Sequence, residues 1–557
     1  MEPKDFTGGK VSGRRRGGWI SCFFIAGAMI GFQLSNGGWM SNLIVYLTEE
    51  FNVKSIDAAQ LSSIISALAF LTPVIGAIIA DSLFSCFSVI FACSLISLLG
   101  TVLLFLTATV NSLKPQSCEV GWMPCKPPSG IQFAVLYGGI VLGAVGFGGL
   151  NSVIATFGAA QLEEGHDRGS FFSWFFFILC SSSVISGTAI VYIEDNVGWG
   201  WGFGICVATH LIGLAIFLSR TQYYHQIRPQ GSPFASLAHV IVASIRKWNV
   251  RISSKGEDYY HGGDDEALNL LPSTPSTEFR CLNRAALKTE GDTKPDGSIA
   301  KPWRLSTVQQ VEDLKTLIRI FPLWTTGLFL CIPIAVQMGL TILQVLTMDR
   351  HLGPNFIIPA GSFTVLSYIS ITIFLPIVQK IVTPLWEKLS HRHPPSLQRV
   401  GVGHLLTAAS MAVAALVESR RLSIAHSLHL EDKPNSIVPM SAWWLVPQVA
   451  LVGFGQAFHY PGLVEFYFQE FPASLKSTAT AMNSVTIAIS YYLTSALLDV
   501  FKKSTPWLPD DINMGRLDIV YWIMAVTAVV NFGYYLTCSM LYKYRNLQRN
   551  DGHPEAE

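Results

Sequence analysis

CFSVIFACSLISLLGTVLLFLTAT, residues 86–109, carries no charged side chain over its whole length. A helix rises about 1.5 Å per residue and a bilayer's hydrocarbon core is about 30 Å thick, so roughly 20 apolar residues are enough to cross it. This stretch therefore reads as a membrane-spanning helix. Working outward from it, eleven more stretches pass the same test, giving approximate spans at 19–47, 59–80, 86–109, 132–159, 171–193, 200–219, 317–347, 360–383, 401–418, 442–468, 478–499 and 518–541. The composition agrees: 50% of the 557 residues are hydrophobic and 13% are charged, against about 25% charged in a soluble domain. A soluble enzyme of this size is excluded.

The spacing of the spans divides them six and six. A polar tail (1–18) precedes a first bundle (19–219), a polar segment (220–315) joins it to a second bundle (316–541), and a short tail (542–557) follows. The joining segment holds SSKGEDYYHGGDDE (253–266) and KTEGDTKPDG (288–297), too charged for lipid and too poor in apolar periodicity for a second domain. It reads as a linker with one amphipathic helix near 234–248. Two sets of six helices joined in this way describe the major facilitator architecture, an all-α membrane fold whose substrate site lies near the midplane between pseudo-symmetric halves.

Lysine and arginine set the orientation. With the N-terminus in the cytosol, 28 of the 38 basic residues fall on the inside and 10 on the outside. Both termini and the linker are then cytosolic. The outward loop between spans three and four holds Cys118 and Cys125; a disulfide between them would close that loop, and two free thiols are the alternative. The net charge of +1 provides no field for nucleic acid. No CxxC pair occurs, and His261, Asp264 and Asp265 read as solvated linker rather than metal ligands. No metal or other cofactor is expected.

Fold alone does not give substrate. An ionisable side chain deep in a membrane helix is costly and marks function by default, and the clearest one is Glu465 in GLVEFYF of span ten. It reads either as a cavity carboxylate that titrates or contacts substrate, or as a protonated carboxyl held between helices. The other polar positions are amides: Gln33, Asn36 and Asn42 in span one, Asn151 in span four, Gln337 and Gln344 in span seven, Gln456 in span ten and Asn483 in span eleven. Each one alone suits an interhelical hydrogen bond. As a set, their neutral N–H donors suit a small anion. GFGG (146–149), with Gly139 and Gly143 before it, reads as close helix packing.

Around these residues the chain resembles the plant nitrate/peptide transporter family, a branch of the proton-coupled oligopeptide transporters. The resemblance runs nearly end to end and is carried by FFSWFFF (171–177), AIVYIEDNVGWGWGFGI (189–205), KPWRLSTVQQVEDLKTLIRIFPLW (301–324), LTMDRHLG (346–353), GFGQAFHYPGLVEFYFQEFP (453–472) and YWIMAVTAVVNFGYYL (521–536). EEFNVKSIDAAQ (49–60), NRAALKTEGDTKPDGSI (283–299) and WLPDDINMGRLDIVYWI (507–523) are similar to its nitrate excretion transporter subgroup.

The departures from the family pattern carry the mechanism. Where most members have Glu-x-x-Glu-Arg in span one, this chain has Met29, Ile30, Gly31, Phe32 and Gln33. Where span four usually reads Gly-Gly-x-Lys, it has Gly148, Gly149, Leu150 and Asn151. The run CIPIAVQMG (331–339) lacks the nitrate-binding histidine of one member, and Ser85 to Val89 replace the usual Gly-Arg-x-x-Thr. By the resemblance, Glu465 keeps its place and loses its span-four cation. Proton coupling needs a titrating group whose partner alternates, so uncoupled movement is expected. An isolated Glu465 would be held protonated by desolvation, and Glu465→Gln would leave transport intact.

The expected function is a low-affinity, proton-independent plasma-membrane exporter of nitrate, with chloride as a second candidate. A potential negative inside drives a monovalent anion outward by about 2.3 kcal/mol per 100 mV. Contacts are expected from Gln33, Asn36, Asn151, Gln337, Gln456 and Glu465. The alternatives are a carrier of a larger organic anion such as a glucosinolate, and a transport-dead sensor or regulatory subunit. An enzyme is not expected, because no span shows a nucleophile and base pair.

Overall fold

Eleven helices in the computed structural model are long and apolar enough to cross a membrane among the residues it describes. Those residues are 17–82, 84–115, 128–162, 166–225, 233–262, 275–294, 299–301, 303–354, 356–391, 394–430, 436–471 and 476–542. Cys118, Cys125, Asp264 and Asp265 lie outside them. The helix expected at 442–468 is present as Val446–Glu470. It has the length of a span but not the apolarity, because Gln448, Gln456, His459 and Glu465 all fall within it.

Several helices outrun their apolar stretches, since backbone hydrogen bonding continues wherever a cap and tertiary packing support it. The seventh runs Val308–Leu346, starting at a reciprocal cap in which Thr307 and Gln310 satisfy each other's backbone N–H groups. The ninth runs Ser396–Ser427 rather than 401–418. That difference moves Arg399 and Arg421 from loops into a spanning helix.

The chain separates into two compact units, 1–41 with 83–229, and 42–82 with 230–557. The second departs from a division at residue 219: helix Ser55–Ser82 packs along helix Lys476–Ser504, with Lys502 bonded to Asp57. In the first unit, small residues bring helices into backbone contact. A Cβ on Gly100 would lie 2.2 Å from the Gly143 nitrogen, and one on Gly146 would lie 2.3 Å from the Ser97 nitrogen, as the spacing of Gly139, Gly143 and Gly146 implies.

The described part of the linker is more ordered than its composition suggests. Its amphipathic helix is Pro233–Arg246, and Val240 and Ala243 on that helix share a small core with Tyr259, Ala285, Ala286, Leu287, Val308, Val311 and Leu314. Beneath it, Lys247 and Asp292 form a fully buried ion pair at 2.7 Å. Lys247 Nζ also donates to the Leu287 carbonyl at 2.6 Å. Burial opposes the Asp292 charge, but the bonds from Lys247 and Thr289 outweigh it and hold that carboxyl below the usual range. Periodicity missed this core because its apolar residues come from four short, widely separated segments.

Candidate functional site

In the first unit, Gln33 on helix Trp19–Ser41 donates through Nε2 to Oδ1 of Asn151 on helix Gly130–Ala159 at 3.1 Å. The two amides nominated from sequence are therefore in direct contact, and the bond engages one Gln33 proton and leaves the Asn151 NH2 group outside it. Asn36, one turn on, is buried; its Nδ2 lies 3.7 Å from the Met40 sulfur, and its Oδ1 has no partner among the described residues. His210 is a third buried polar group here, its Nε2 donating to the Ser94 carbonyl at 2.9 Å while the ring packs 4.9 Å from Phe32.

In the second unit, Glu465 is not isolated. Its carboxylate is bonded to the guanidinium of Arg399, whose side chain is 9% exposed against 28% for Glu465. Gly462 makes the approach possible: a Cβ there would lie 2.9 Å from the Ser396 carbonyl oxygen and 3.2 Å from the Arg399 Cβ. Glu465 sits three residues further along the same helix, so close packing at Gly462 carries it to Arg399. Arg399 is in the first turn of its helix and Glu465 in the last two turns of its own, which puts the pair toward one end of the bundle. The span-four position is Asn151, as the sequence shows, but the expected isolation of Glu465 is corrected here: Arg399 of span nine supplies its counter-charge.

A second charged cluster is sealed. Glu418 and Arg421 are both fully buried, with Arg421 Nη2 to Glu418 Oε1 at 2.6 Å and Nε to Oε2 at 2.8 Å. Gln344 donates to Glu418 at 2.6 Å, and its own oxygen accepts from Tyr521 at 3.0 Å. Arg421 also reaches Asn513 at 2.5 Å and Thr347 at 3.1 Å. With its charges compensated in this way, the cluster ties helices together rather than receiving a ligand. Gln337 is likewise buried, accepting from Ser410 at 3.2 Å, though its Nε2 has no partner among the described residues.

Gln456 faces a narrow cavity of about 30 Å³ that is also lined by Trp324, Thr407, His459, Tyr460 and Asn483. His459 Nδ1 has no partner among the described residues. His404 packs 5.7 Å from the His459 ring and 4.4 Å from Tyr535. Nδ2 of Asn531 lies 3.3 Å from His404 Nδ1, so that nitrogen accepts and Nε2 carries the proton. The buried polar residues of these helices are therefore not amides alone: Arg399, His404, Glu418, Arg421 and His459 join them. Reading span nine as 401–418 hid both arginines, and His459 stood in GFGQAFHYPG without being singled out.

The described residues place polar groups inside apolar helices, an arrangement that a membrane transporter requires. The family model described as PTR2, POT family, matches residues 87–514, and the chain belongs to that family, in its plant NRT1/PTR branch. It is 48% identical to Protein NRT1/ PTR FAMILY 2.6 of Arabidopsis thaliana over 98% of this chain and 96% of that one. It is 47% identical to Protein NRT1/ PTR FAMILY 2.7 of the same plant, over the same shares. Among solved structures, an auto-inhibited POT family peptide transporter superposes with a TM-score of 0.68 over 94% of this chain and 97% of that one, at 16% identity. That likeness establishes the major facilitator fold.

Proposed function

We propose that this transporter carries nitrate, with chloride as a second anion, out of the cytosol at low affinity and without coupled protons, as in the nitrate excretion subgroup it resembles. It would act in the plasma membrane with both termini cytosolic. The observation that supports this reading is the hydrogen bond between Gln33 and Asn151. By resemblance these positions hold the family's span-one arginine and span-four lysine, and a neutral amide pair neither binds nor releases a proton. The Arg399–Glu465 pair adds no net charge of its own. An anion leaving water must exchange its hydration for protein donors. Gln33, Asn36 and Asn151 are the proposed donors of the first unit, and Gln337 and Gln456 those of the second. Neutral donors bind weakly, which suits a dissociation constant of about a millimolar (~4 kcal/mol).

Reconstitution in liposomes tests this. With potentials of either sign imposed, nitrate flux should follow the potential and the nitrate gradient and ignore a proton gradient. Protons moving stoichiometrically with nitrate would overturn it. Flux of a large organic anion with none of nitrate would favour an organic-anion carrier, and no current with any anion a sensor.

A further inference from the structure

Several polar side chains around the cavity in the second unit are already committed. Trp324 donates its indole N–H to the Met482 carbonyl at 3.1 Å, and Thr486 donates to the same oxygen at 2.9 Å. Thr407 donates to the Gly403 carbonyl at 2.9 Å, and Tyr535 to that of Leu397. Four others on the same walls are not committed. Gln456, Asn483 and Tyr460 make no side-chain hydrogen bond among the described residues, and His459 Nδ1 has no partner there. His459 is 7% exposed, and close packing fixes its place: a Cβ on Gly403 would lie 2.7 Å from the His459 Cβ. A buried polar atom without a partner is costly, and several of them around one cavity mark a place for a ligand.

The chemistry of the four groups selects the ligand's charge. They are two amide NH2 groups, a phenol O–H and an imidazole, which carries one N–H and can present it from either nitrogen. Among the described residues no carboxylate lines the cavity, and the nearest one along the helix, Glu465, is bonded to Arg399. Donors with no acidic competitor beside them suit an anion. Size then limits which anion. A water needs about 10–15 Å³ of cavity, so about 30 Å³ admits about two waters or one small oxyanion and excludes a sugar-bearing one. Aliphatic and aromatic side chains make the rest of the wall, which strengthens each hydrogen bond made inside.

We propose that His459, Asn483 and Tyr460 join Gln456 in an anion-binding subsite of the second unit, and that its size restricts the cargo to inorganic anions as small as nitrate. The subsite rests on the nitrate reading above and adds to it the residues that determine specificity. A planar ion with three acceptor oxygens takes up the amide, phenol and imidazole donors that the protein itself leaves unused.

Purified full-length protein is titrated with sodium nitrate, read as thermal stabilisation, and assayed for nitrate flux in liposomes. His459→Phe keeps a ring and removes both nitrogens; it should raise the apparent dissociation constant roughly tenfold, and His459→Gln, which restores an N–H, should recover part of that. Gly327 also lines the cavity, and a Cβ on it would meet only the Thr486 methyl, at 3.8 Å. Gly327→Ala should therefore fold at least as well as the native chain while weakening nitrate binding. A glucosinolate should not compete with nitrate. Unchanged nitrate affinity in His459→Phe and Gly327→Ala, in a native chain that binds and carries nitrate, overturns the subsite alone. So does a loss in His459→Phe that only tracks a lower melting temperature without anion, with Gly327→Ala unaffected. Competition by the glucosinolate overturns the size limit. A native chain that neither binds nor carries nitrate overturns the nitrate reading and the subsite with it.

Discussion

The carboxylate of Glu465 is bonded to the guanidinium of Arg399, 66 residues earlier in the chain. A lone carboxylate and an ion pair respond to mutation in opposite ways. Arginine keeps its charge under all ordinary conditions, so removing its partner leaves an uncompensated cation. Glu465→Gln is accordingly expected to cost about 1–3 kcal/mol of stability, less than a fully buried pair because Glu465 is partly exposed. It should also hold nitrate at the freed guanidinium, lowering both the apparent KM and the maximal flux. Arg399→Met in the same chain should restore most of the stability. Thermal unfolding in detergent and flux in proteoliposomes check this; an unchanged single variant would show that the pair is immaterial.

Leucine at Gln33 or Asn151 should raise the apparent KM for nitrate or abolish flux at normal expression. Because the two amides are bonded to each other at 3.1 Å, the double variant should fall short of the sum by about 1 kcal/mol. Strict additivity would mean that they act separately.

Arg421→Met should be among the most damaging changes in the chain. It strands Glu418 with no exposure to solvent and takes donors from Asn513 and Thr347; the expected loss is about 3–5 kcal/mol. Arg421→Met with Glu418→Gln should recover a substantial part of it. Melting curves decide, and a double variant no better than the single would remove the ion pair as the cause.

Asp292→Asn should loosen the linker core by leaving Lys247 buried without its counter-charge, read as faster hydrogen exchange at Val240 and Ala243. The folded-state pKa of Asp292 is lowered. The stability it provides is therefore present above the unfolded carboxyl's value of about 4 and lost as pH falls through the lower folded value. In the native chain, the protection of these amides from exchange, relative to their intrinsic rates, should fall on acidification below about pH 4, and in the asparagine variant it should already be low at neutral pH.

The sequence by itself was enough for the membrane class, the helices, the family and the candidate amides. Each follows from composition, from runs of apolar residues such as 86–109, or from local motifs, and none needs a distant partner. Glycine spacing likewise announced close helix packing at Gly139, Gly143 and Gly146, whereas the partner at Gly100 came only from the structure. What the tertiary structure decided is which polar groups meet. The Arg399–Glu465 pair, the Glu418–Arg421 cluster with Gln344 and Asn513, the two histidines at 5.7 Å and the linker core with Lys247 and Asp292 all join residues far apart in the chain. Hydrophobic periodicity reports how each segment meets lipid or core, but a charge's cost depends on its nearest neighbours in space, and those are set only when the helices pack.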